Sequence, residues 1–243
     1  MPVDGLVGTA MSDVFDSLDW AAVRESLNTQ GYAITPPLLC VAECSELMAR
    51  YDDDAQFRST IVMARHRFGE GCYRYFDNPM PGVVSSLRTQ LYAALAPIAN
   101  DWQKYLGVAA EFPSHFDAYQ DACHRAGQTR PTPLLLRYEA GGYNCLHQDK
   151  YGDLAFPLQV TCLLTETGQD FDGGEFLLIE NRSRTQSRGS AITLERGQCI
   201  IFPNQVRPVP GTRGYHRVQV RHGVSTVHRG VRMALGIIFH DAA

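Results

Sequence analysis

Long apolar runs are missing from this chain. No stretch approaches the 18 or more residues that a membrane-spanning helix needs, which excludes an integral helical membrane protein. The opening residues, Met-Pro-Val-Asp-Gly-Leu-Val, also lack the positive charge and the apolar segment of a signal peptide. We therefore expect a cytoplasmic protein with no membrane partner.

Paired cysteine motifs are missing as well. The 7 cysteines are an odd number and no two stand in a CxxC spacing, which favours reduced thiols over a disulfide framework. Cys145, Cys162 and Cys199 each fall in an apolar segment, and we predict that they are small core residues.

Lysine is also scarce: 2 of the 22 basic residues are lysines, so arginine carries most of the positive charge. Between Arg182 and Arg232 there are ten arginines and a single acid, Glu195. Such a region can attract an anionic partner, nucleic acid above all. The alternative is an ordinary solvated face. The segment 181–190 resembles an exposed loop, and three of its arginines could contact phosphates: Arg182, Arg184 and Arg188.

The first half of the chain favours helices. Asp19 is placed as a helix N-cap, and Pro97 is expected to kink or split a long amphipathic helix. The predicted helices lie near residues 20–30, 41–51, 83–106 and 116–125, and short strands are predicted at 32–34, 59–65 and 71–77.

From residue 131 the pattern changes to short apolar or alternating runs separated by turn residues. Such spacing is typical of a β-sandwich or barrel, and helices followed by strands indicate an α+β fold. We predict a single domain over residues 1–243, in which 1–130 form a mainly helical support and 131–243 a double-stranded β-helix (jelly roll). The predicted strands are 134–138, 143–149, 158–164, 175–179, 191–194, 198–202, 216–220 and 231–239.

A His-x-Asp pair lies on one of these strands. Alternate side chains of a strand share a face, so His147 and Asp149 should point the same way. An imidazole beside a carboxylate offers two ligands of a two-histidine, one-carboxylate iron site. A second pair, His115 and Asp117, falls in a polar, helical stretch and is expected to be an ordinary part of the surface.

The end of the chain carries a longer motif. Residues 222–232 read His-Gly-Val-Ser-Thr-Val-His-Arg-Gly-Val-Arg. This stretch resembles the C-terminal signature of the prolyl-hydroxylase-like branch of the Fe(II)/2-oxoglutarate dioxygenases: His-x-Val, a further Val, then Gly-x-Arg. Upstream segments resemble the same family in the same order, so that the resemblance covers about residues 134–240: Arg137-Tyr138, a glycine pair, His147-x-Asp149, 160–165 and 173–176.

The resemblance implies an enzyme that binds Fe(II) through His147, Asp149 and His222. It also implies that 2-oxoglutarate and O2 are consumed, that succinate and CO2 are released, and that a substrate C–H bond is hydroxylated. Two rival ligands stay open: His216, sixteen residues before Arg232 as in alkylated-DNA repair dioxygenases, and His228 in an expected hairpin turn.

The same resemblance assigns Arg232 to the distal carboxylate of 2-oxoglutarate, which a guanidinium fork fits well. Thr165 stands where the family often has a tyrosine that helps to hold this cosubstrate. The second anchor is therefore open between Thr165 and a nearby tyrosine hydroxyl, Tyr138 or Tyr143.

The substrate is predicted from weaker signals. The chain looks like an uncharacterised bacterial branch for which DNA-base repair has been proposed, and the arginine-rich region supports a nucleic-acid partner. Aromatic residues that could stack on a flipped base are Tyr73, Tyr75 and Phe76. The alternatives are a protein (prolyl or other side-chain) hydroxylase, a small-molecule hydroxylase, and a cupin-like binding protein without chemistry.

Overall fold

A computed structural model describes residues 11–109, 111–149, 152–181 and 186–243, with side chains from residue 14. Within these residues the helices are α1 Met11–Asp16, α2 Trp20–Thr29, α3 Val41–Ala49, α4 Gly82–Tyr105 and α5 Phe116–Arg125. Short 3-10 turns lie at Arg50–Asp52, Asp54–Gln56 and Met63–His66. In this part of the chain no helix is both long and apolar enough to cross a membrane.

The helix ends follow local chemistry. Asp19 caps α2 as predicted, because its carboxylate accepts a hydrogen bond of 2.9 Å from the backbone N–H of Ala22. Pro97, however, lies inside one continuous α4, so the predicted split was wrong. A proline inside a helix costs about 3 kcal/mol. Apolar residues buried along the whole of α4 hold both halves against the same core and offset that cost: Val84, Leu87, Leu91, Leu95, Ile98 and Trp102.

The strands form two antiparallel sheets. They are β1 Ala33–Ile34, β2 Phe57–Val62, β3 Gly69–Glu70, β4 Cys72–Phe76, β5 Leu134–Glu139, β6 Tyr143–His147, β7 Leu158–Leu163, β8 Phe171–Gly173, β9 Phe176–Asn181, β10 Ser187–Ile192, β11 Cys199–Pro203, β12 Val206–Gly211, β13 Gly214–Val224 and β14 Val227–Ile237. The major sheet has the order β1-β11-β7-β14-β5-β4-β2, with β8 on β14. The minor sheet has the order β10-β9-β13-β6-β3, with β12 on β13.

The mixed helix and sheet content confirms the predicted α+β class. The eight strands predicted after residue 131 are all present with shifted ends, and the prediction missed β8 and β12. The first half also contributes β1, β2 and β4 to the major sheet and β3 to the minor sheet. Residues 1–130 are therefore more than a helical support, because the sheets are incomplete without them. That the chain is one domain stays a prediction.

Two apolar layers hold the sheets in place. The larger layer lies between the helices and one face of the major sheet, with Leu91, Phe156 and Leu235 fully buried. The smaller layer lies between the sheets, with Leu178, Phe202 and Val220 at its centre. Alternate residues of the major-sheet strands thus point to different layers, as period-two strands require.

The expectation of reduced thiols was wrong for one pair. Cys162 of β7 and Cys199 of β11 are directly paired in register and are joined by a disulfide bond. They are core residues as predicted, since both are fully buried. Register between distant strands brought them together, which cysteine spacing along the chain cannot reveal. The other five cysteines are free thiols, and Cys145 is exposed, so its predicted place in the core was wrong.

A buried ion pair ties α4 to the end of the chain. The Arg88 guanidinium is fully buried and donates to Asp241 at 2.6 Å and to the backbone carbonyls of Ile238 and Phe239 at 2.9 Å each. Ile238 and Phe239 directly follow β14, so this pair fixes the helix layer against the central strand of the major sheet.

Replacing Arg88 with methionine is expected to lower the free energy of unfolding by about 3–5 kcal/mol, because Asp241 would stay buried without its cation. Denaturant unfolding followed by circular dichroism measures the loss. Arg125→Met is the matched control, since Arg125 is exposed on α5, and should change stability by no more than about 0.5 kcal/mol. Equal stabilities for the two variants would contradict the role given to Arg88.

Candidate metal centre

A cavity of about 470 Å³ opens between the two sheets. Its wall includes His147, Asp149 and His222, whose ligand atoms all lie within 4.8 Å of one another. His147 ends β6 and His222 lies opposite it on β13, so strand pairing itself aligns the two imidazoles. Asp149 follows two residues after the end of β6. The structure thus brings together the three predicted ligands, and their binding of a metal stays a prediction.

The Asp149 carboxylate bridges the two histidines. Its Oδ1 lies 3.5 Å from His147 Nε2, and its Oδ2 lies 3.3 Å from His222 Nε2. His147 Nδ1 lies 2.8 Å from the carbonyl oxygen of Cys145 and is placed to donate to it. That hydrogen bond leaves Nε2 as the atom with a free lone pair, which is the form that binds a metal.

The protonation states also suit a cation. Burial alone would raise the pKa of Asp149, but hydrogen bonds from His147 and His222 outweigh it and hold this pKa well below its usual range. Burial lowers the pKa of His222 despite the nearby carboxylate. For His147, burial is outweighed by the hydrogen bond with Asp149, so its pKa is raised. The site therefore holds an ionised carboxylate on Asp149 and a neutral imidazole on His222. His147 favours its protonated form, and a metal bound there would displace that proton.

Gln159 is a site residue that sequence reasoning missed. Its side chain is buried on β7, and its Nε2 donates to Asp149 Oδ2 at 2.9 Å and lies 3.2 Å from His222 Nε2. The amide therefore holds the carboxylate in one orientation. The available signal was a lone polar side chain between apolar neighbours in the strand Leu-Gln-Val.

The segment that carries Asp149 is pinned by two further amides. Gln148 Nε2 lies 2.8 Å from the carbonyl oxygens of Gln205 and Val220, and Gln205 Nε2 donates to the Asp149 carbonyl at 2.8 Å. These bonds replace strand pairing beyond the end of β6. Asp149 is consequently positioned by side chains from the β11–β12 connection rather than by its own strand.

Arg232 lies in the same cavity, on β14. The residue is 2% exposed, its Nε has no hydrogen-bond partner, and no carboxylate of the described residues is within ion-pair distance. Its guanidinium carbon lies 5.8 Å from the ring centre of Tyr138 and 6.0 Å from that of Phe171. A buried arginine without an anion is costly, so its surroundings fit a bound carboxylate.

The three candidates for a second anchor differ. Tyr143 is exposed on β6 and does not line the cavity. Tyr138 is fully buried, is paired in register with Arg232 and lines the cavity. Burial raises its pKa to about 12, so the hydroxyl stays protonated and can donate. Thr165 does not line the cavity, because its hydroxyl bonds the backbone N–H of Met233 at 3.1 Å. Thr165 thus supports the strand beside Arg232, and its contact with a cosubstrate stays a prediction.

The rival ligands lie elsewhere. His216 is exposed on β13, paired with β12, and His228 is exposed at the start of β14. Neither belongs to a group of metal-ligating side chains in the described part of the chain. His115 precedes α5 and Asp117 is in its first turn, as expected for surface residues.

Two of the three predicted aromatic residues reach the cavity. Tyr73 and Tyr75 of β4 line it as an edge-to-face pair with ring centres 5.5 Å apart. Phe76 is fully buried in the helix-facing layer, so its predicted stacking role was wrong. Phe76 is the last residue of β4 and alternates with Tyr75, so it points to the other face of the sheet, where it packs with Phe57.

The arginine-rich region is divided by the fold. Arg196 pairs with Glu166 at 3.2 Å, Arg229 pairs with Asp172 at 2.7 Å, and Arg207 is buried against Glu180. Acidic residues outside positions 182–232 thus form ion pairs with these three arginines. A count of charges within the region alone does not show those pairs. Arg182 and Arg184 lie outside the described residues.

The remaining arginines of the region are exposed and without a carboxylate partner among the described residues: Arg188, Arg213, Arg217 and Arg221. Arg217 and Arg221 alternate along β13 with Val220, which packs in the layer between the sheets, and His222, which lines the cavity. These two arginines therefore lie on the opposite face of the minor sheet. The predicted nucleic-acid surface does not adjoin the cavity there.

Comparisons with known proteins agree with this geometry. A family model named Oxygenase-NA, described as "Oxygenase, catalysing oxidative methylation of damaged DNA", matches residues 71–242. Two uncharacterised proteins of Mycobacterium tuberculosis, one from strain CDC 1551 and one from strain H37Rv, are each 48% identical over 168 residues. The matched region is 69% of this chain and 72% of each relative.

Solved structures share the fold at low identity. A Pseudomonas putida prolyl-4-hydroxylase has 17% identity and a TM-score of 0.52, with 92% of this chain and 100% of that chain covered. A 2OG-Fe(II) oxygenase family oxidoreductase from Burkholderia pseudomallei has 16% identity and a TM-score of 0.53, with 93% of each chain covered. A Trichoplax adhaerens prolyl hydroxylase, bound to a peptide of hypoxia inducible factor, has 17% identity and a TM-score of 0.53, with 91% and 89% covered. The predicted double-stranded β-helix is thereby confirmed.

The arrangement of His147, Asp149 and His222 predicts that two variants lose metal affinity to different degrees. His222→Ala removes a ligand, and Gln159→Leu removes the amide that orients Asp149. Loss of such an outer partner lowers metal affinity about 10–100-fold, and loss of a ligand should cost more. Calorimetric titration with Mn²⁺ under nitrogen measures both, with His228→Ala as the matched control. Normal binding by His222→Ala together with lost binding by His216→Ala would show that the ligand set is wrong.

Proposed function

Because the chain belongs to the Oxygenase-NA family, within the Fe(II)- and 2-oxoglutarate-dependent oxygenases, we propose that it oxidatively demethylates an alkylated base in DNA. The observation that carries the proposal is one cavity with a His-Asp-His cluster and a buried arginine that lacks an anion. The enzyme uses Fe(II), 2-oxoglutarate and O2, as its superfamily does. A DNA substrate also agrees with the predicted cytoplasmic location.

We assign the iron to His147, Asp149 and His222. Two neutral imidazoles and one carboxylate leave a divalent cation with net positive charge and with open coordination positions. Bound iron supplies the site at which 2-oxoglutarate and O2 react, giving succinate, CO2 and a hydroxylated substrate carbon. The role of the protein is to keep Asp149 ionised and oriented through Gln159, and to hold His147 through its Nδ1 so that its Nε2 faces the site.

The cosubstrate carboxylate is assigned to Arg232 with Tyr138 beside it. Arg232 and Asp149 carry opposite charges yet are not paired with each other. Each charge is therefore available to a ligand: the carboxylate to the metal and the guanidinium to the far end of a dicarboxylate. A protonated Tyr138 hydroxyl can donate a second hydrogen bond to that anion.

The other end of the cavity fits a flat, mostly apolar group. Tyr73 and Tyr75 stand there beside Leu134 and Ile238. Small residues lie between this end and Arg232, since Ala234 and Gly236 share the cavity face of β14. Aromatic and aliphatic walls suit a base that has been turned out of its stack. The volume of about 470 Å³ lies within the roughly 300–1,000 Å³ of small-molecule pockets.

The atoms of the proposed reaction balance as demethylation. One oxygen atom of O2 enters the C–H bond of the N-methyl group, and the other enters succinate as 2-oxoglutarate loses CO2. The resulting N–CH2OH group then releases formaldehyde and leaves N–H on the base. Oxidation of a methyl carbon removes the methyl group, so oxidative chemistry on damaged DNA fits removal of a methyl group rather than its addition.

The first test is turnover. Purified protein with Fe(II), ascorbate and 2-oxoglutarate is expected to release formaldehyde and succinate in a one-to-one ratio from an oligonucleotide with an N-methylated base. Mass spectrometry should show the same oligonucleotide 14 Da lighter, about the mass of one CH2 group, as the loss of a methyl branch requires. A proline-rich peptide is the parallel substrate. Hydroxylation of the peptide with no formaldehyde from any methylated oligonucleotide would replace this proposal with protein hydroxylation.

The second test addresses the cosubstrate. Arg232→Ala should raise the 2-oxoglutarate concentration for half-maximal turnover at least ten-fold, since losing one partner of a buried charge pair costs about 2–5 kcal/mol. Arg232→Lys should also be impaired, because a point charge cannot reproduce the fork. Arg229→Ala is the control, as Arg229 is exposed and paired with Asp172. If Arg232→Ala needs the same 2-oxoglutarate concentration as the wild type for half-maximal turnover, the assignment of Arg232 to the cosubstrate carboxylate is refuted.

A further inference from the structure

A short loop borders the open side of the cavity. It consists of residues 63–70, and four consecutive exposed residues in it are called the lip below: Arg65, His66, Arg67 and Phe68. Arg67 and Phe68 line the cavity next to Cys145 and Leu146 of β6. The lip therefore borders the same cavity that His147 lines.

The loop is held firmly in this position. Its first residue, Met63, is fully buried between the sheets, and the Met63 carbonyl accepts a hydrogen bond of 3.1 Å from Phe68 N–H. The Phe68 carbonyl in turn accepts from Cys145 N–H at 2.8 Å. Gly69 then packs directly on the Tyr143 carbonyl, where a Cβ would collide with backbone. The lip is thus a fixed part of the cavity rim.

The backbone of Arg67 is unusual. Its φ of 60° is the single positive value for a non-glycine side chain in the described residues. Such a conformation costs about 1–3 kcal/mol and persists where the surroundings enforce it. Its effect is to turn the chain so that Arg67 and the next residue, Phe68, both lie at the cavity opening.

The chemistry of the lip is cationic and aromatic. Phe68 is 47% exposed and stacks on His66 with ring centres 5.3 Å apart, and Leu146 beside it is 42% exposed. No carboxylate of the described residues lies within ion-pair distance of Arg65 or Arg67. The nearest acid along the chain, Glu70, is exposed on β3.

Exposed aromatic area beside unpaired arginines is complementary to a chain that alternates phosphates with flat bases. Single strands bind to such surfaces by stacking on aromatic rings and by phosphate contacts with basic residues. A neutral peptide would leave both guanidinium groups without a partner. Charge complementarity therefore favours a nucleic-acid strand at the lip.

We propose that the lip binds the DNA strand on either side of the target base, with Arg65 and Arg67 on phosphates and Phe68 against a neighbouring base. The proposal rests on the function given above and deepens it, because it locates the strand when the base is in the cavity. It moves the nucleic-acid contact from the arginines of residues 182–232 to the rim of the cavity. Arg217 and Arg221, on the far face of the minor sheet, take no part.

The test compares a lip variant with a matched far-face variant. The lip variant is Arg65→Ser with Arg67→Asn, since asparagine tolerates a positive φ better than serine. The control is Arg217→Ser with Arg221→Ser, which removes the same number of exposed arginines. Fluorescence anisotropy follows binding of a labelled, unmethylated single-stranded DNA over a series of salt concentrations. Melting temperatures equal to wild type establish that both variants are folded.

The wild-type protein should bind with a log affinity that falls as log salt rises. Each phosphate contact on a single strand contributes a slope of about 0.7, so the lip variant should have a slope smaller by about 1.4. The far-face variant should keep the wild-type slope. Phe68→Ala should weaken binding about 5-fold or more with little change of slope, because stacking carries no charge.

Turnover separates the two proposals. On an oligonucleotide with one N-methylated base, the lip variant should lose at least ten times more kcat/KM than it loses on the corresponding N-methylated nucleoside. An unchanged salt slope in the lip variant, or no salt-sensitive binding by the wild type, would overturn the lip while leaving demethylation of a base to be judged by formaldehyde release. If the lip variant has a smaller salt slope but no substrate releases formaldehyde, the lip is supported as a DNA contact and demethylation is refuted. If the lip variant loses kcat/KM only on a proline-rich peptide, the lip binds protein substrates and the proposal is overturned.

Discussion

The ionised carboxylate of Asp149 is the charge on which the rest of the site depends. A buried carboxylate costs several kcal/mol unless it is compensated. Burial would lower the pKa of His147, but the hydrogen bond with Asp149 outweighs burial and raises this pKa, so a proton is favoured on His147. Burial holds the pKa of His222 low, so that ring faces the carboxylate as a neutral imidazole. A divalent cation at the three side chains would take the place of the proton on His147. The amides of Gln159, Gln148 and Gln205 fix the carboxylate and the chain that carries it in place.

A second buried charge could have cancelled the first. Arg232 is in the same cavity, but it lies on β14 of the major sheet, whereas Asp149 follows β6 of the minor sheet. The two sheets hold these groups on opposite walls, and neither forms an ion pair with the other. A direct ion pair between Arg232 and Asp149 would have neutralised both groups, and neither would then attract a ligand of opposite charge. Separation of the charges by the fold is thus what allows one cavity to bind a cation and an anion together.

The sequence predicted what depends on local periodicity and on one motif. Alternation placed the strands of the second half and the shared direction of His147 and Asp149, and the motif at residues 222–232 pointed to His222 and Arg232. Prediction from the sequence failed where a residue's partner lies on a distant segment that only the fold brings close. Cys162 and Cys199 meet only through the register of β7 and β11, and Gln159 gains its role only because β7 faces Asp149. Nor does the sequence show that the Thr165 hydroxyl accepts a hydrogen bond from the backbone of Met233.

Charge composition was the least reliable guide, because it counts arginines without their partners. Glu166, Asp172 and Glu180 lie outside the arginine-rich region in the sequence and neutralise three of its members in space. Arg67 at the cavity rim differs from those three arginines in position: it lines the cavity, and its loop is held by a hydrogen bond between the Phe68 carbonyl and the Cys145 N–H. For the proposed DNA substrate, position relative to the opening matters more than the number of positive charges. Phe68 at the rim and Tyr73 and Tyr75 farther in all line the cavity, so aromatic side chains are available both at the proposed strand contact and for the proposed flipped base.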